Sequence, residues 1–226
     1  DRTRFEECWK DISTFIKFGC IKDNDFYEKV EKILIFKDIN DKYVSVSELF
    51  GEEVSDEDAK NGVQPKAIYY VSDMAQQAQY VAMFKDADLN AVVCDTLIDP
   101  HFISYIEYKN PNKCRFVRID ADVDEALKSN EALAEDDYKD LIDVFKKHLV
   151  NQEVNVKVER FKSGKVPAVI NVDEFMRRMS EMNGFYGMET TDSMKGANLV
   201  LNLTNPVVSS LLSQSEEKQG VIVNQI

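Results

Sequence analysis

Three short apolar runs decide the fold of the first half of the chain: AIYYV at residues 67–71, AVVC at 91–94 and RFVRI at 115–119. Each run has the length, and the β-branched or aromatic content, that are typical of a buried strand. Residues 74–84 and 101–108, which lie between the runs, carry apolar residues at helical spacing. Strands that alternate with helices predict a small parallel sheet with right-handed crossovers. The first half of the chain is therefore predicted to be α/β.

Two helices are predicted ahead of this sheet. The first has apolar residues that recur three and four positions apart, as on one face of a helix: Phe5, Cys8, Trp9, Ile12, Phe15 and Ile16. Gly19 suits the end of this helix, because glycine is favoured just after a helix. A second helix is predicted over residues 26–36, with Asn24 or Asp25 as its cap.

The composition changes near residue 120. Residues 121–137 are rich in Asp, Glu, Ala and Lys and offer little to bury, so we place a linker or domain boundary here. The elements predicted beyond it are, in order, a helix over 138–149, strands over 154–158 and 166–172 joined by a hairpin turn at 162–165, a helix over 174–183, a strand over 197–203 and a helical region that begins at Pro206. With no repeat of fixed period, residues 121–226 are predicted to be an α+β domain that follows an α/β domain over residues 1–120.

The charge balance argues against nucleic-acid and membrane partners. The 226 residues carry a formal net charge of -13, and we find no basic run that could bind phosphates or anionic lipids. No apolar run reaches the roughly 18 residues that a membrane-spanning helix needs. The chain starts at Asp1, already in a helical pattern, so we expect it to be a piece of a longer protein.

The cysteines and histidines give no sign of a metal site or a disulfide framework. The four cysteines are scattered without a C-x-x-C pair, and His101 and His148 are far apart in the sequence. A zinc site needs clustered ligands, and a chain of this size needs no disulfides to hold a core. We therefore expect reduced thiols, no metal and a cytoplasmic location.

Polar side chains after the predicted strands leave an enzyme as an alternative. Ligands of open parallel sheets bind at the carboxyl ends of the strands, where Asp73, Asp95 and Asp99 lie with His101 nearby. However, no glycine-rich phosphate loop follows the first strand, and no G-x-S-x-G motif is present. An Asp after a strand is also an ordinary helix cap, which is the interpretation we favour. The alternative is a stand-alone α/β enzyme that uses Asp73, Asp95 and His101.

Methionines are concentrated in one part of the second half. Five of the seven lie between Met176 and Met194. One helix face is predicted by spacings of 4, 3 and 4 residues: Phe175, Met179, Met182 and Tyr186. Such a face is either core packing or an adaptable contact surface, because methionine is flexible and polarizable. The apolar residues after Pro206 leave the same choice between core and subunit interface.

Five stretches, taken in order, resemble the bacterial branch of the heat shock protein 90 family. They are FEECWKDISTFIKFG at residues 5–19, PKAIYYVSD at 65–73, AVVCDTLID at 91–99, VPAVI at 166–170 followed by the methionine-rich segment, and LNLTNP at 201–206. Their order and spacing extend over nearly the whole chain. The resemblance implies that residues 1–120 are the α/β end of the family's middle domain. It also implies that residues 121–226 are most of the α+β carboxy-terminal dimerization domain.

The resemblance implies a part of an ATP-dependent chaperone rather than an enzyme in its own right. The family's nucleotide-binding domain precedes these stretches, so ATP and magnesium are expected in the full-length protein and no cofactor in this part. The implied partners are unfolded or partly folded client proteins and a second copy in a homodimer. The implied client contacts are Phe102, Tyr105, Phe175, Met176, Met179 and Met182. The implied dimer contacts are Val207, Val208, Leu211, Leu212, Val221, Ile222 and Ile226.

Overall fold

Two compact units make up the computed structural model, which describes residues 2–121, 127–129, 138–149, 154–171, 178 and 198–226. The first unit comprises Asp1–Val81 and Leu89–Ile119, and the second comprises Ala82–Asp88 and Asp120–Ile226. Strands and helices occur in both halves of the chain, which therefore has a mixed α/β structure. No helix in the described ranges is long and apolar enough to cross a membrane.

Helix α1, Arg2–Lys22, packs one face into the core of the first unit. The predicted apolar stripe is confirmed at Trp9, which is buried. It is wrong at Cys8 and Phe15, which are exposed, Phe15 by 77%. The buried face of α1 is therefore narrower than the run of apolar residues indicated, and part of that run lies in solvent.

The turn between α1 and α2, Asn24–Val30, differs from the prediction at both helix ends. Helix α1 does not end at Gly19 but continues to Lys22. Asp23, which lies just ahead of the predicted caps, is the actual cap of α2. Its side chain accepts hydrogen bonds from the backbone N–H groups of Asp25 and Phe26. A Cβ at Gly19 would lie 2.9 Å from a ring carbon of Phe26. Glycine at this position therefore allows close approach between the helices rather than ending one of them.

An antiparallel hairpin follows where the sequence predicted the end of a helix. Strand β1, Ile35–Lys37, pairs with β2, Tyr43–Ser45. The predicted helix therefore stops short of Phe36, which is 1% exposed and lies in β1. A short apolar run fits a buried strand as well as a helix, and the periodicity alone did not separate them. Two short helices come next: α3, Val46–Leu49, and α4, Asp56–Lys60.

The predicted parallel sheet is confirmed in the first unit. Its strands are β3, Ala67–Val71, β4, Val92–Val93, and β5, Arg115–Arg118, in the order β4-β3-β5, and both pairings are parallel. The crossovers contain α5, Ala78–Asp86, and α6, Asp99–Lys109. Because parallel strands end at a common edge, the segments after β3 and β4 lie at the same edge of the sheet.

The second unit contains a mixed three-stranded sheet. Its strands are β6, Asn155–Glu159, β7, Ala168–Asn171, and β8, Asn198–Asn202. The order is β6-β8-β7, with β8 parallel to β6 and antiparallel to β7. The predicted hairpin between the first two strands is wrong, because β8 lies between them. Pro167 directly precedes the edge strand β7. Its missing N–H therefore removes no hydrogen bond from the sheet.

Helices cover this sheet around a second apolar core. They are α7, Lys139–His148, α8, Pro206–Ser209, and α9, Glu216–Val223. Pro206 occupies the first turn of α8, as predicted, and the side chain of Asn205 caps the helix. The core is formed by Leu141, Phe145, Val156, Leu199, Leu201, Leu203, Val208, Leu211 and Val223. The helix predicted over residues 174–183 lies outside the described residues, apart from Arg178.

Candidate functional site

A buried ion pair joins helices α1 and α6. The ammonium group of Lys17 pairs with Oδ1 of Asp99, and the two side chains are 5% and 1% exposed. The same ammonium group lies 5.3 Å from the ring centre of Phe36 and 5.8 Å from that of Phe102. Aromatic ring faces attract cations, so the two rings and the carboxylate together hold the charge of Lys17 in the core. We call Lys17 and Asp99 the clamp.

The second carboxylate oxygen of Asp99 closes a bend, residues 96–99, at the start of α6. Oδ2 accepts the backbone N–H of Thr96 at 2.9 Å and the Thr96 hydroxyl at 2.8 Å. The N–H of Asp99 donates in turn to the carbonyl of Thr96 at 3.0 Å. Leu97 lies within this bend and is 79% exposed. Both carboxylate oxygens of Asp99 are thus engaged in holding the structure.

One side of α6, together with the bend, carries large exposed side chains. Leu97 and Tyr108 are each 79% exposed. Tyr105 is half-buried, and its ring packs edge-on against Tyr27 with the ring centres 5.3 Å apart. His101, also half-buried, lies four residues before Tyr105, and Tyr108 lies three residues after it, so these three share one side of the helix. We call Leu97, His101, Tyr105 and Tyr108 the outer face.

Phe102 points away from the outer face. Its side chain is 1% exposed, and its ring centre lies 5.9 Å from that of Phe36. The prediction of Phe102 as a client contact is therefore wrong, because a buried ring meets no other protein while the core is closed. Tyr105 remains a candidate, and the sequence analysis missed Leu97 and Tyr108. Their spacing from Tyr105 was visible in the sequence, but spacing alone does not say which side of a helix is buried.

Among the polar residues after the strands, Asp73 holds the turn that leads into α5, which begins at Ala78. Oδ1 of Asp73 accepts the backbone N–H groups of Ala75 and Gln76, both at 2.9 Å. The cap interpretation is wrong for Asp99, because α6 has no side-chain cap hydrogen bond. Cys94 is 3% exposed, as expected for a small apolar residue rather than a nucleophile. Among the described residues, no group of three or more His, Cys, Asp or Glu could hold a metal ion. The alternative enzyme that uses Asp73, Asp95 and His101 gains no support from these observations.

In the second unit, two asparagines anchor the loop 161–166 that leads to β7. Oδ1 of the fully buried Asn202 accepts the N–H groups of Phe161 at 3.1 Å and Thr204 at 3.0 Å. Its Nδ2 donates to two carbonyls within the loop, each at 2.8 Å. Nδ2 of Asn205 donates to the carbonyl of Gly164 at 2.7 Å, while its Oδ1 caps α8. The Thr204 hydroxyl donates to the carbonyl of Phe161 at 2.8 Å, so five side-chain hydrogen bonds join the loop backbone to residues 202–205 at the end of β8 and the start of α8.

The end of the chain divides into core and surface residues. Val207, Leu212 and Val221 are 44%, 48% and 56% exposed. We call them the terminal apolar face. Ile222 and Ile226 are partly buried against the second core. The implied dimer contacts also included Val208 and Leu211, and this part of the expectation is wrong: the two side chains are 1% and 0% exposed and belong to that core.

A comparison with protein families identifies the chain. The model of the family described as Hsp90 protein matches residues 1–224. The chain belongs to the Hsp90 family. The resemblance seen in the sequence is thereby confirmed at the family level, and the clamp gains a context: Lys17 and Asp99 come from two separate stretches that resemble this family.

Curated relatives named chaperone protein HtpG match this Hsp90 chain over most of its length. The protein from Bacteroides thetaiotaomicron is 31% identical over 234 residues, which cover 96% of this chain and 33% of the relative. The protein from Bacteroides fragilis strain YCH46 is 32% identical over 244 residues, which cover 100% and 34%. The protein from Porphyromonas gingivalis strain ATCC 33277 is 31% identical over 232 residues, which cover 96% and 33%. The chain spans about a third of the length of these relatives.

Part of the predicted client site lies outside the residues that the structure describes. The implied client contacts Phe175, Met176, Met179 and Met182 lie outside the described residues. They stay predictions based on the sequence. Exposed apolar side chains of the described residues include those of the outer face in the first unit and of the terminal apolar face in the second, and also Phe15 and Phe18 on α1.

Proposed function

We propose that this Hsp90 chain is part of an ATP-dependent molecular chaperone similar to HtpG, to which it contributes client binding and homodimer contacts. The outer face carries the proposal, because Leu97 in the bend and Tyr108 on α6 are each 79% exposed, while Phe102, Ile103 and Ile106 on the opposite side of α6 are buried. Unfolded proteins expose apolar side chains, and a rigid apolar surface binds them by removing both surfaces from water. The curated relatives that match the chain are named chaperones.

The chemistry of this function is binding rather than bond breaking. A chaperone with two conformations acts on a client by binding it differently in each of them. In this proposal ATP and magnesium bind to a part of the full-length protein outside this chain, and they change the conformation that presents the outer face. Residues 174–183 add an adaptable methionine contact, because methionine side chains adjust to partners of different shape.

Suppression of aggregation tests the client surface. A thermally unfolded model protein is mixed with this chain or with the variant Leu97→Ser/Tyr108→Ser, and light scattering is followed. The matched control is Phe15→Ser/Phe18→Ser, which removes two exposed aromatic side chains from α1. We expect the outer-face variant to lose most of the protection and the α1 variant to keep it. Equal protection by all three proteins would place client binding elsewhere, and circular dichroism must show that each is folded.

The methionine segment has its own variant in the same assay. Met179→Asp/Met182→Asp puts two charges on the predicted helix face. Loss of protection with retained fold would support client contact by this segment. Unfolding of the variant would instead assign these methionines to the core.

The terminal apolar face is the proposed contribution to the homodimer. Val207, Leu212 and Val221 are exposed, while Ile222 and Ile226 are partly buried against the second core. An exposed apolar surface of this kind gains stability when a second copy covers it. Sedimentation equilibrium tests this directly. We expect Val221→Asp to weaken self-association about tenfold or more, because it brings a charge into an apolar contact. The exposed control Ser209→Asp should leave self-association unchanged, and a strictly monomeric wild type would contradict the proposal.

A further inference from the structure

The clamp places two opposite charges in the core of the first unit, where loss of water disfavours both. Buried charge pairs often add no stability compared with apolar residues of similar volume, so stability alone does not explain the clamp. The geometry of the clamp offers a reason. Oδ1 of Asp99 pairs with the ammonium group of Lys17, and Oδ2 accepts hydrogen bonds from the backbone N–H and the hydroxyl of Thr96. An apolar side chain could fill the space of Asp99, but it could not accept these hydrogen bonds.

The bend that Asp99 closes lies between two fixed elements. Upstream, the N–H of Cys94 donates to the carbonyl of Val71 in β3 at 2.7 Å. Downstream, α6 is held by Phe102, Ile103 and Ile106, which are at most 1% exposed. Residues 96–99 join these elements and contain an apolar side chain that stays in water. A bend free to rearrange would gain free energy by burying Leu97, because burial of a leucine is favourable.

We propose that Lys17 and Asp99 are positioning residues that hold the bend in one conformation and thereby present Leu97 to client proteins. Lys17 fixes the carboxylate in the orientation that accepts both hydrogen bonds from Thr96. The inference rests on the proposed function, since it treats Leu97 as a client contact. It adds that the outer face depends on a charge pair buried behind it.

Two double variants separate the hydrogen bonds from the charges. K17M/D99N removes both charges but keeps an oxygen for Thr96, whereas K17M/D99L also removes that acceptor. Exchange of the Thr96 amide is followed by NMR, with the amides of β3 as an internal control for global stability. We expect the Thr96 amide to exchange faster in K17M/D99N than in the wild type, because Lys17 no longer orients the acceptor. Exchange should be about tenfold faster again in K17M/D99L, because the acceptor itself is lost, while β3 stays protected. Equal exchange of Thr96 in the two variants overturns the proposal.

A double-mutant cycle measures the consequence for clients. Leu97→Ser is made in the wild type and in K17M/D99L, and a permanently unfolded, carboxymethylated model protein is titrated by fluorescence anisotropy. In the wild type, Leu97→Ser should weaken binding about fivefold or more, because the leucine contact is lost. In K17M/D99L the same change should cost little, since Leu97 is no longer presented. The same loss in both backgrounds overturns the proposal.

Failure of the proposed function would look different from failure of the clamp. If the wild type bound no unfolded protein, the client role of Leu97 would fall, while Thr96 exchange would still report whether the clamp holds the bend. If K17M/D99L did not fold, Thr96→Val would replace it, because this variant removes only the hydroxyl hydrogen bond. Faster amide exchange at position 96 and a smaller effect of Leu97→Ser are then expected, and unchanged values overturn the proposal.

Discussion

Asn202 is a polar side chain with no exposed surface, and all of its bonding capacity is used inside the protein. Its oxygen accepts two backbone N–H groups and its nitrogen donates to two backbone carbonyls. An amide is suited to this position because it combines two donors with an acceptor that has two lone pairs. A carboxylate would keep the two accepted bonds but would face two carbonyl oxygens without a proton to donate. Burial of Asn202 is thus tolerated only with the loop 161–166 in place.

Replacement of Asn202 by alanine should destabilise the second unit. We expect Asn202→Ala to lower the free energy of unfolding of the second unit by about 2–4 kcal/mol, because several backbone groups lose a partner while buried. Urea unfolding, followed by circular dichroism, measures the change. Asn198→Ala is the matched control at the other end of β8, where the side-chain hydrogen bond to Asn155 is exposed. A similar small effect of both substitutions would contradict this account of Asn202.

The four thiols should react in two classes. Cys8 is exposed, whereas Cys20, Cys94 and Cys114 are buried. Burial raises the pKa of the Cys20 thiol to about 11, opposed in part by a backbone hydrogen bond, and burial, with Glu107 nearby, raises that of Cys114 to about 12. Thiolates are the reactive form, so these two thiols stay unreactive near pH 8 for reasons of both access and charge.

Labelling of the native chain with a maleimide at pH 8 should therefore modify one thiol quickly and all four after denaturation. The control variant Cys8→Ser should remove the fast class and leave the unfolding free energy unchanged. Rapid native labelling of a second thiol would contradict the buried positions of the other three.

At the scale of elements, local patterns predicted the strands better than their pairing. The alternation of residues 154–158 gave β6, and the run 197–203 gave β8, but nothing local shows that β8 inserts between β6 and β7. Adjacent strands in sequence usually pair, and this chain departs from that tendency through a contact between residues about 40 positions apart. The same limit explains Phe102, because helical spacing does not reveal which side the core will cover. Gly19 was misplaced because its role depends on Phe26 rather than on its own helix.

Helix α9 should be held less firmly in acid. Its Glu216 pairs with Lys147 of α7, and this hydrogen bond, together with the charge of Lys147, lowers the pKa of Glu216 below its ordinary value of 4.5. A lowered pKa in the folded state means that the pair stabilises the fold above the ordinary value. That contribution is lost as the pH falls through the folded pKa, when Glu216 takes up a proton. The effect is small because both side chains are exposed.

Protection of the α9 amides against hydrogen exchange, corrected for the intrinsic rate at each pH, measures this contribution. Between pH 6 and pH 3 the wild type should lose protection in α9 more than Glu216→Gln does, because the variant lacks the pair at every pH. Glu217→Gln, one residue along, should behave as the wild type. The same pH dependence in Glu216→Gln and the wild type would exclude the pair as its cause.

At the scale of the whole chain, the described residues present two surfaces of different kinds, each beside an apolar core. The outer face stands on the parallel-sheet unit and is fixed from behind by the clamp. The terminal apolar face stands on the second unit, where buried Val208 and Leu211 alternate with exposed Val207 and Leu212. Both surfaces are apolar in a chain whose formal net charge is -13. Under the proposed function, client recognition combines short-range apolar contact with a long-range preference set by charge.

For the proposed client binding, this net charge predicts which unfolded proteins associate with the chain fastest. A negative protein attracts positive partners from a distance, which raises the association rate without any change in the contact itself. We expect a basic unfolded protein to associate about tenfold faster than an acidic one of similar hydropathy at low ionic strength. At roughly 0.5 M salt the screening length falls below the size of a side chain, so the two rates should converge. Stopped-flow fluorescence measures both rates, and Leu97→Ser/Tyr108→Ser serves as the control: it should speed dissociation of both clients and leave the ratio of their association rates unchanged. A ratio near one at low salt would show that client choice is independent of the net charge.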